Sequence, residues 1–332
     1  MPRITVAVPT WNGARYVGLA VRSIVEQEGV EFELLVVDDR SEDETLDVVR
    51  AVAGDRARIV VNSERLGLAG NWNRCVELAD SEWVAVFHQD DLMRPGHLAL
   101  QAGVIAGLSG PTAFVAGPAE AIDKAGATVD PRVIDWGIVE VKGGWYERQR
   151  MLEGRLVLEY GPGGFVRELA ERNPVRCSAV TLNRSVHQAV GGFDAAWKYA
   201  VDWDYWVRAA RAAGVAWVVA GERPTVAFRW HGGSETHRFR VGTLDLDEQA
   251  RVVEGVLAAE GAGWADVGEV RRRAERRLAR GYLGRAYQAA KAGDRALCRR
   301  ALGQAWRRSP GVFGEVVRDP RLLVWLLKGA LG

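Results

Sequence analysis

Three acidic segments carry the chemistry to be expected of this chain. The runs "LLVVDD" and "VAVFHQDD" end on Asp38 and Asp39 and on Asp90 and Asp91. Each pair follows an apolar stretch of strand type, so its carboxylates sit where a buried strand reaches the surface. Adjacent carboxylates repel and raise each other's pKa unless a cation or a ligand's donor groups stabilise the charged form. Hard oxygen ligands on a partly open rim suit magnesium or manganese, ions that take a couple of carboxylates together with substrate phosphates. A metal-bound diphosphate is the guest this pattern predicts. In the third segment, "VDWDYW", Asp202 and Asp204 fall near the start of a predicted helix, where unsatisfied backbone amides favour carboxylates. Their i, i+2 spacing sends them to different faces, which excludes a shared role. A dinucleotide cofactor is disfavoured, because the first turn, "PTWNGARY", has one glycine where the phosphate-cradling fingerprint needs three, and no phosphate-loop lysine.

The elements that must hold these residues are legible in the hydrophobic period. Over the first ninety residues "ITVAV", "FELLVV", "ARIVV" and "WVAVF" alternate with amphipathic stretches such as "ARYVGLAVRSIVEQ" and "EDETLDVVRAVA". Strands apolar on both faces belong in a parallel sheet covered by helices, and the carboxyl ends of such strands share one rim, where ligands bind. Ser41 and Glu44 have capping-box spacing, Gly29 follows the first helical pattern, and Pro95 suits the first turn of the helix after the Asp90–Asp91 pair. The sheet is expected to continue through "AFVAG", "CSAVTLN", "AWVVAG" and "TVAFRW", while residues 120–172, lacking a clear period, read as long connections over its open end. From about residue 240 the pattern is helical, with Arg-dense faces, and "DPRLLVWLLKGAL" is a last helix. Hydrophobic residues make up 48% of the 332, enough for a large core, and 44 basic against 43 acidic side chains leave a net charge of +1 that excludes a global attraction to nucleic acid or to an anionic membrane. Three widely spaced cysteines without metal-ligand spacing fit a reducing compartment. The start, "MPRITVAVPTWN", enters a strand pattern without a signal core, so a cytoplasmic location is expected.

Four collinear blocks, "ITVAVPTWNGARYVGLAVRSIVEQ", "FELLVVDDRSEDET", "GLAGNWNRCVELADSEWVAVFHQDDLMRPGHL" and "GGFDAAWKYAVDWDYWVRAA", resemble glycosyltransferase family 2. The resemblance covers roughly residues 3–235 and implies a GT-A fold: an α/β, Rossmann-like, mostly parallel sheet flanked by helices. Residues 1–238 would be the catalytic domain and residues 239–332 a helical extension. It further implies a metal-dependent, inverting transfer of a sugar from a nucleotide diphosphate donor of UDP, dTDP or GDP type to a hydroxyl of a glycan, lipid-linked or small-molecule acceptor. Pro9, Thr10, Trp11 and Asn12 would then line the donor, with Trp11 against the base and Asp39 accepting a hydrogen bond from it. An aromatic face stacks on any base and a carboxylate pairs with an imide or amino hydrogen. Arg65 and Asn73 match positions near the donor. Asp90 and Asp91 match metal ligands for Mn or Mg, and His88 stands where the family usually has the first acid of its Asp-x-Asp element, leaving it a ribose contact or a packing role. His231, just past a predicted strand, matches a further metal ligand or phosphate contact. Asp202 matches the catalytic base, and Val201 replaces the glutamate that often precedes it.

Each of these residues also has a structural reading. Trp11 is one of 13 tryptophans and suits a core, Asp39 suits a helix cap, and Asn12, Arg65 and Asn73 suit turns. Trp136, Trp145, Tyr146 and Arg148 form either a sugar platform or ordinary packing. Two other functions remain open on sequence: a degenerate module that binds a sugar nucleotide without catalysis, and a nucleotidyltransferase on the same sheet. The Arg-dense C-terminal faces leave room for peripheral contact with the inner face of a membrane, although a solvated face is the plainer reading. Oligomeric state is not encoded in any motif.

Overall fold

The computed structural model describes residues 1–129, 145–219, 224–233, 238–239 and 242–314. The N-terminal strand β1, Ile4–Thr10, is buried at every position, as a central parallel strand must be. It pairs in parallel with β2 (Phe32–Asp38) and β4 (Trp83–Val86), and β2 with β3 (Ala57–Val61). Helices α1 (Ala14–Val25), α2 (Thr45–Ala53) and α3 (Gly67–Leu78) make the crossovers. Helix α1 turns Val17, Val21 and Ile24 onto the sheet at helical spacing, in one cluster with Ile4, Val6, Val8 and Leu34.

After β4 come β5 (Leu92–Met93), α4 (His97–Ala106), β6 (Thr112–Ala116), β7 (Ala119–Ile122), β8 (Arg148–Leu152), β9 (Arg155–Tyr160), the short α5 (Val166–Leu169), β10 (Val180–Asn183), α6 (Arg184–Val190), α7 (Val201–Ala212), β11 (Gly214–Val218) and β12 (Val226–Arg229). The main sheet has the order β3-β2-β1-β4-β10-β6-β11-β9-β8. Only β9 and β10 run against the common direction. A second sheet, β5-β12-β7, has β12 antiparallel to β5 and parallel to β7. "TVAFRW" therefore leaves the main sheet, contrary to expectation, and this departure brings His231, two residues past β12, back to the Asp90 turn.

Other local expectations also change. Residues 148–160 form a hairpin at the sheet's edge, turned by Glu153 and Gly154 at φ +48° and +76°. Two successive residues in that region make the tight turn whose twist matches the strands, but the polar "RQRMLEG" hides it from a hydrophobic pattern. No capping box forms: Ser41 gives both its backbone N–H and its hydroxyl to Asp38, and Asp43 accepts the Thr45 N–H at the start of α2. Pro95 lies before α4, behind Gly96 at φ +81°. The "DPRLLVWLLKGAL" segment and Trp136 lie outside the described residues.

The described chain divides into two compact units. One holds Met1–Glu168, Asn173–Ala196 and Val201–His231; the other holds Leu169–Arg172, Trp197–Ala200 and the residues from Gly232 on. The second is built on α8 (Leu244–Glu260), α9 (Val267–Lys291) and α10 (Arg295–Arg308). Small buried residues, Ala274 on α9 and Cys298, Ala301 and Ala305 on α10, give these helices a smooth inner face. Arg285 pairs with buried Asp245 at 2.9 Å, Tyr282 donates to Asp247, and Glu248 accepts the backbone N–H groups of Lys198, Tyr199 and Ala200. No helix among the described residues is long and apolar enough to cross a membrane.

Helix α7 is held by its aromatic residues. Trp206 is fully buried, its ring 5.0 Å from that of Phe114 and 6.2 Å from that of Phe193. Trp206→Ala is expected to lower the free energy of unfolding by about 3–5 kcal/mol, because the surrounding rings cannot collapse into the space. Urea denaturation measures it.

Candidate functional site

The rim formed by the carboxyl ends of β1 and β2 is organised by Asp38. Its carboxylate, fully buried, accepts the hydroxyls of Thr10 (2.8 Å) and Ser41 (2.7 Å). The loop after β1 is then tied to the loop after β2: Asn12 N–H donates to Ser41, the Asn12 side-chain oxygen accepts the Glu42 N–H, and Gly13 N–H donates to Thr45. Asn12 takes φ +44° to make this turn. Within this frame Trp11 is half-exposed, and the guanidinium of exposed Arg65 lies 3.5 Å from the centre of its ring. Asp39 does not stand free. Its Oδ1 accepts Asn62 (3.0 Å) and the Leu66 N–H (2.7 Å), and its Oδ2 accepts the Gly67 N–H (2.8 Å) at the start of α3. The carboxylate caps that helix, and only Oδ2 keeps a further acceptor position.

The turn after β4 places its residues in opposite senses. Asp91 points inward: Oδ1 accepts the Arg229 N–H (2.8 Å) and Oδ2 the Ser178 hydroxyl, which also accepts the His88 N–H. Burial, and then the charge of Asp90, push the Asp91 carboxyl well above the usual carboxylate range, against the bonds from Ser178 and Arg229. The Arg229 side chain donates to the carbonyls of Asp90 and Asp123, so β12 grips the turn from both sides. Asp90 faces outward, and its Oδ2 lies 2.9 Å from His231 Nε2. The two residues are separated by 141 positions and meet because β12 pairs beside β5. His88 stacks on Trp72 with ring centres 5.0 Å apart, and its Nε2 has no hydrogen-bond partner among the described residues. Burial holds its pKa below the usual histidine value, although Asp90 opposes this, so the imidazole is neutral near pH 7. Ligand atoms of His88, Asp90 and Asp91 all lie within 4.8 Å of one another, a grouping able to hold a metal ion.

Asp202 opens α7 and accepts Asn173 Nδ2 at 3.0 Å. Enclosure raises its pKa, against the Arg176 charge and the Trp203 and Asn173 hydrogen bonds. The segment from Asn173 to Ser178 therefore touches Asp202 at one end and Asp91 at the other, and the buried Cys177 thiol between them feels both charges. Asp204 has a different task. It pairs with Arg208 at 2.8 Å, which in turn donates to the carbonyls of Val190 and Gly192. Asn73 uses both amide atoms on the Phe193 backbone, so it fixes the "GGFD" turn.

Sequence reasoning passed over Ser178, Asn173, Arg229 and Gln89. Ser178 lies in "CSAVTLN", read only as a strand, and Asn173 stands just before it; nothing in their types distinguishes them from turn residues. Gln89 pairs with the Trp11 backbone through two bonds: Trp11 N–H donates to Oε1 (3.0 Å) and Nε2 donates to the Trp11 carbonyl (3.1 Å). A β-carbon at Gly13 would sit 2.1 Å from Gln89 Oε1. Gly13→Ala is therefore expected to displace Gln89 and cost about 1–3 kcal/mol, the value of two hydrogen bonds lost in a half-buried site. In a Gln89→Ala background the same change should cost under about 1 kcal/mol, since the backbone at Gly13 has an ordinary φ of −109°. A double-mutant cycle by urea denaturation reads the difference.

Residues 5–152 match the sequence profile "Glycosyl transferase family 2". An uncharacterized protein of Mycobacterium tuberculosis is 31% identical over 221 residues, 65% of each chain. A Campylobacter jejuni GalNAc(5)-diNAcBac-PP-undecaprenol beta-1,3-glucosyltransferase is 34% identical over 101 residues, 30% of this chain and 33% of that one. The chain thus spans less than two thirds of the length of either relative. Among solved structures, S. aureus TarS 1-349 in complex with UDP-GlcNAc superposes with a TM-score of 0.59 at 16% identity, covering 98% of this chain and 90% of that one. A mannosyltransferase of Pyrobaculum calidifontis in complex with GDP-Man and Mn2+ gives 0.52 at 19% identity, covering 99% and 86%. At these identities the likeness concerns the fold. Over residues 5–152 the chain is thus similar to glycosyl transferase family 2, and its fold is the GT-A fold of glycosyltransferases.

Proposed function

We propose that the chain is an inverting glycosyltransferase that moves one sugar from a nucleotide diphosphate donor to a hydroxyl of a glycan or lipid-linked acceptor. The observation that carries this reading is the gathering of ligand atoms of His88, Asp90 and Asp91 within 4.8 Å of one another, with His231 Nε2 2.9 Å from Asp90, on the same rim as Trp11. Donors in the neighbouring structures, UDP-GlcNAc and GDP-Man, support the donor class, and the Campylobacter relative's name supports a lipid-linked acceptor.

The residues fit a divalent cation. Asp90 and Asp91 supply hard oxygens and His88 a ring nitrogen within one group, and His231, which meets Asp90, offers a further nitrogen. When bound, such an ion offsets the charge of the departing diphosphate. Asp91 supports the site by aiming Asp90. Trp11 offers a ring face for the base once Arg65 moves aside, and the remaining acceptor position on Asp39 Oδ2 is available to a ring N–H. Asp202, deprotonated, accepts the proton of the acceptor hydroxyl as its oxygen attacks the anomeric carbon and the bond to the diphosphate oxygen breaks. A single displacement inverts that carbon. Asn173 holds the carboxylate in place and favours its charged form.

Asp90→Ala should lose at least tenfold in the manganese-dependent part of nucleoside diphosphate affinity by calorimetry, with metal-free affinity unchanged. Unchanged affinity in manganese removes Asp90 as a ligand, and no binding of any nucleoside diphosphate by the unmodified protein sinks the donor reading. Asp202→Asn should lower kcat by about 10²–10⁴ while donor affinity stays within twofold. The raised pKa also sets a pH dependence: the base is lost as pH falls through a value above the ordinary carboxylate range. Asn173→Ala removes a bond to the charged form, so the acid limb of kcat/KM should move to higher pH. A limb that stays put would place the titrating group elsewhere.

A further inference from the structure

Charge is segregated along this chain. Residues 266–332 hold 16 Lys and Arg against 6 Asp and Glu, a formal +10, whereas residues 1–265 hold 28 against 37, a formal −9. Some arginines of the helical unit are held by acidic partners. Arg273, Arg285 and Arg308 are partnered by Glu171 and Glu269, by Asp245, and by Glu254 and Glu275. A distinct group lies on α10, "RALCRRALGQAWRR", a helix without a single acidic residue. Arg295, Arg299, Arg300 and Arg307 are exposed there, and none has an ion pair among the described residues. At 100° per residue they occupy one side of the helix, opposite the buried Cys298, Ala301 and Ala305. In their midst Trp306 is 58% exposed, its ring 5.5 Å from that of Phe313.

We propose that this outward face of α10 docks on the anionic surface of a lipid bilayer, with the four arginines at the headgroups and the Trp306 indole at the apolar boundary. Three properties of the face select this occupant. Unpaired guanidinium groups have no reason within the fold to cluster, and an anionic surface attracts each one. An exposed indole ringed by arginines suits an interface with a polar edge and an apolar depth, where tryptophan partitions, better than a phosphate rim without such depth. A second copy of the same face would bring four more unpaired positive charges against these four, which disfavours self-pairing. The proposal does not rest on the donor chemistry. It bears on how the protein would reach an acceptor carried by a lipid.

The test is sedimentation of the full chain with vesicles of phosphatidylcholine alone or with about a third phosphatidylglycerol. Binding is expected only to the anionic vesicles and should weaken with added salt. Replacing Arg295, Arg299, Arg300 and Arg307 together by Gln should weaken partitioning by about a hundredfold or more, at roughly fivefold for each basic side chain. Trp306→Ala should weaken it several-fold at every salt concentration. Both variants should keep the urea midpoint and nucleoside diphosphate binding of the parent, which separates a lost surface from a lost fold. Equal binding by parent and arginine variant, or equal binding to both vesicle types, overturns the assignment. So does a self-association that the arginine variant abolishes, or tighter binding to duplex DNA than to anionic vesicles at the same salt.

Discussion

Two adjacent carboxylates at the end of a buried strand cannot both face one cleft without raising each other's pKa, and the site is arranged around that constraint. Asp91 is turned inward onto the Arg229 N–H and the Ser178 hydroxyl, which leaves Asp90 as the outward acid. The inward member is buried and its ionisation is opposed by burial and by Asp90. It therefore acts as a clamp on the turn, and the outward member keeps a carboxylate that a cation or a histidine can meet. The small β5-β12-β7 sheet exists next to this turn and makes the arrangement possible. Its central strand supplies the N–H for Asp91, the guanidinium for the Asp90 carbonyl and, two residues past its end, His231.

From this turn the remaining groups are reached by short polar links rather than by the sheet alone. Gln89 fastens it to the Trp11 backbone, Trp72 on α3 stacks on His88, and the Asn173–Ser178 segment runs from Asp91 to Asp202. Helix α3 is itself capped by Asp39. A carboxylate fixed by three donors costs little to hold in place when a ligand arrives, which is the value of building a binding rim from groups that already have structural tasks.

How much of this was legible in the sequence depended on whether the signal was periodic or relational. The first strands and helices declare themselves because "ITVAV", "FELLVV" and "WVAVF" are apolar on both faces and the segments between them are not. The acids stood out for the same reason, as charge directly after apolar runs. The hairpin at 148–160 did not, because an edge strand such as "RQRML" buries too little to show an alternation. Nor did the move of "TVAFRW" to a second sheet, since pairing partners are not written in one strand's own pattern. Asn73 and Asp39 show the limit within the site. Residue type says that each can hydrogen-bond, but only the fold decides that Asn73 serves the Phe193 backbone and that Asp39 caps α3. Gln89 and Ser178 were invisible for the converse reason: their types are common in turns, and their importance lies wholly in what faces them.

His88 stands where the family resemblance expects an acid, and the surrounding structure gives it a physical sense. A carboxylate there would add a third negative charge to a group whose ligand atoms lie within 4.8 Å of one another. Asp91, already held against ionisation by burial and by Asp90, would be pushed further. A neutral imidazole removes that repulsion and finds an apolar partner in the Trp72 ring, an arrangement that a carboxylate could not use. What is given up is electrostatic attraction for a hard cation. What is gained is a buried ring nitrogen, Nε2, with no hydrogen-bond partner among the described residues.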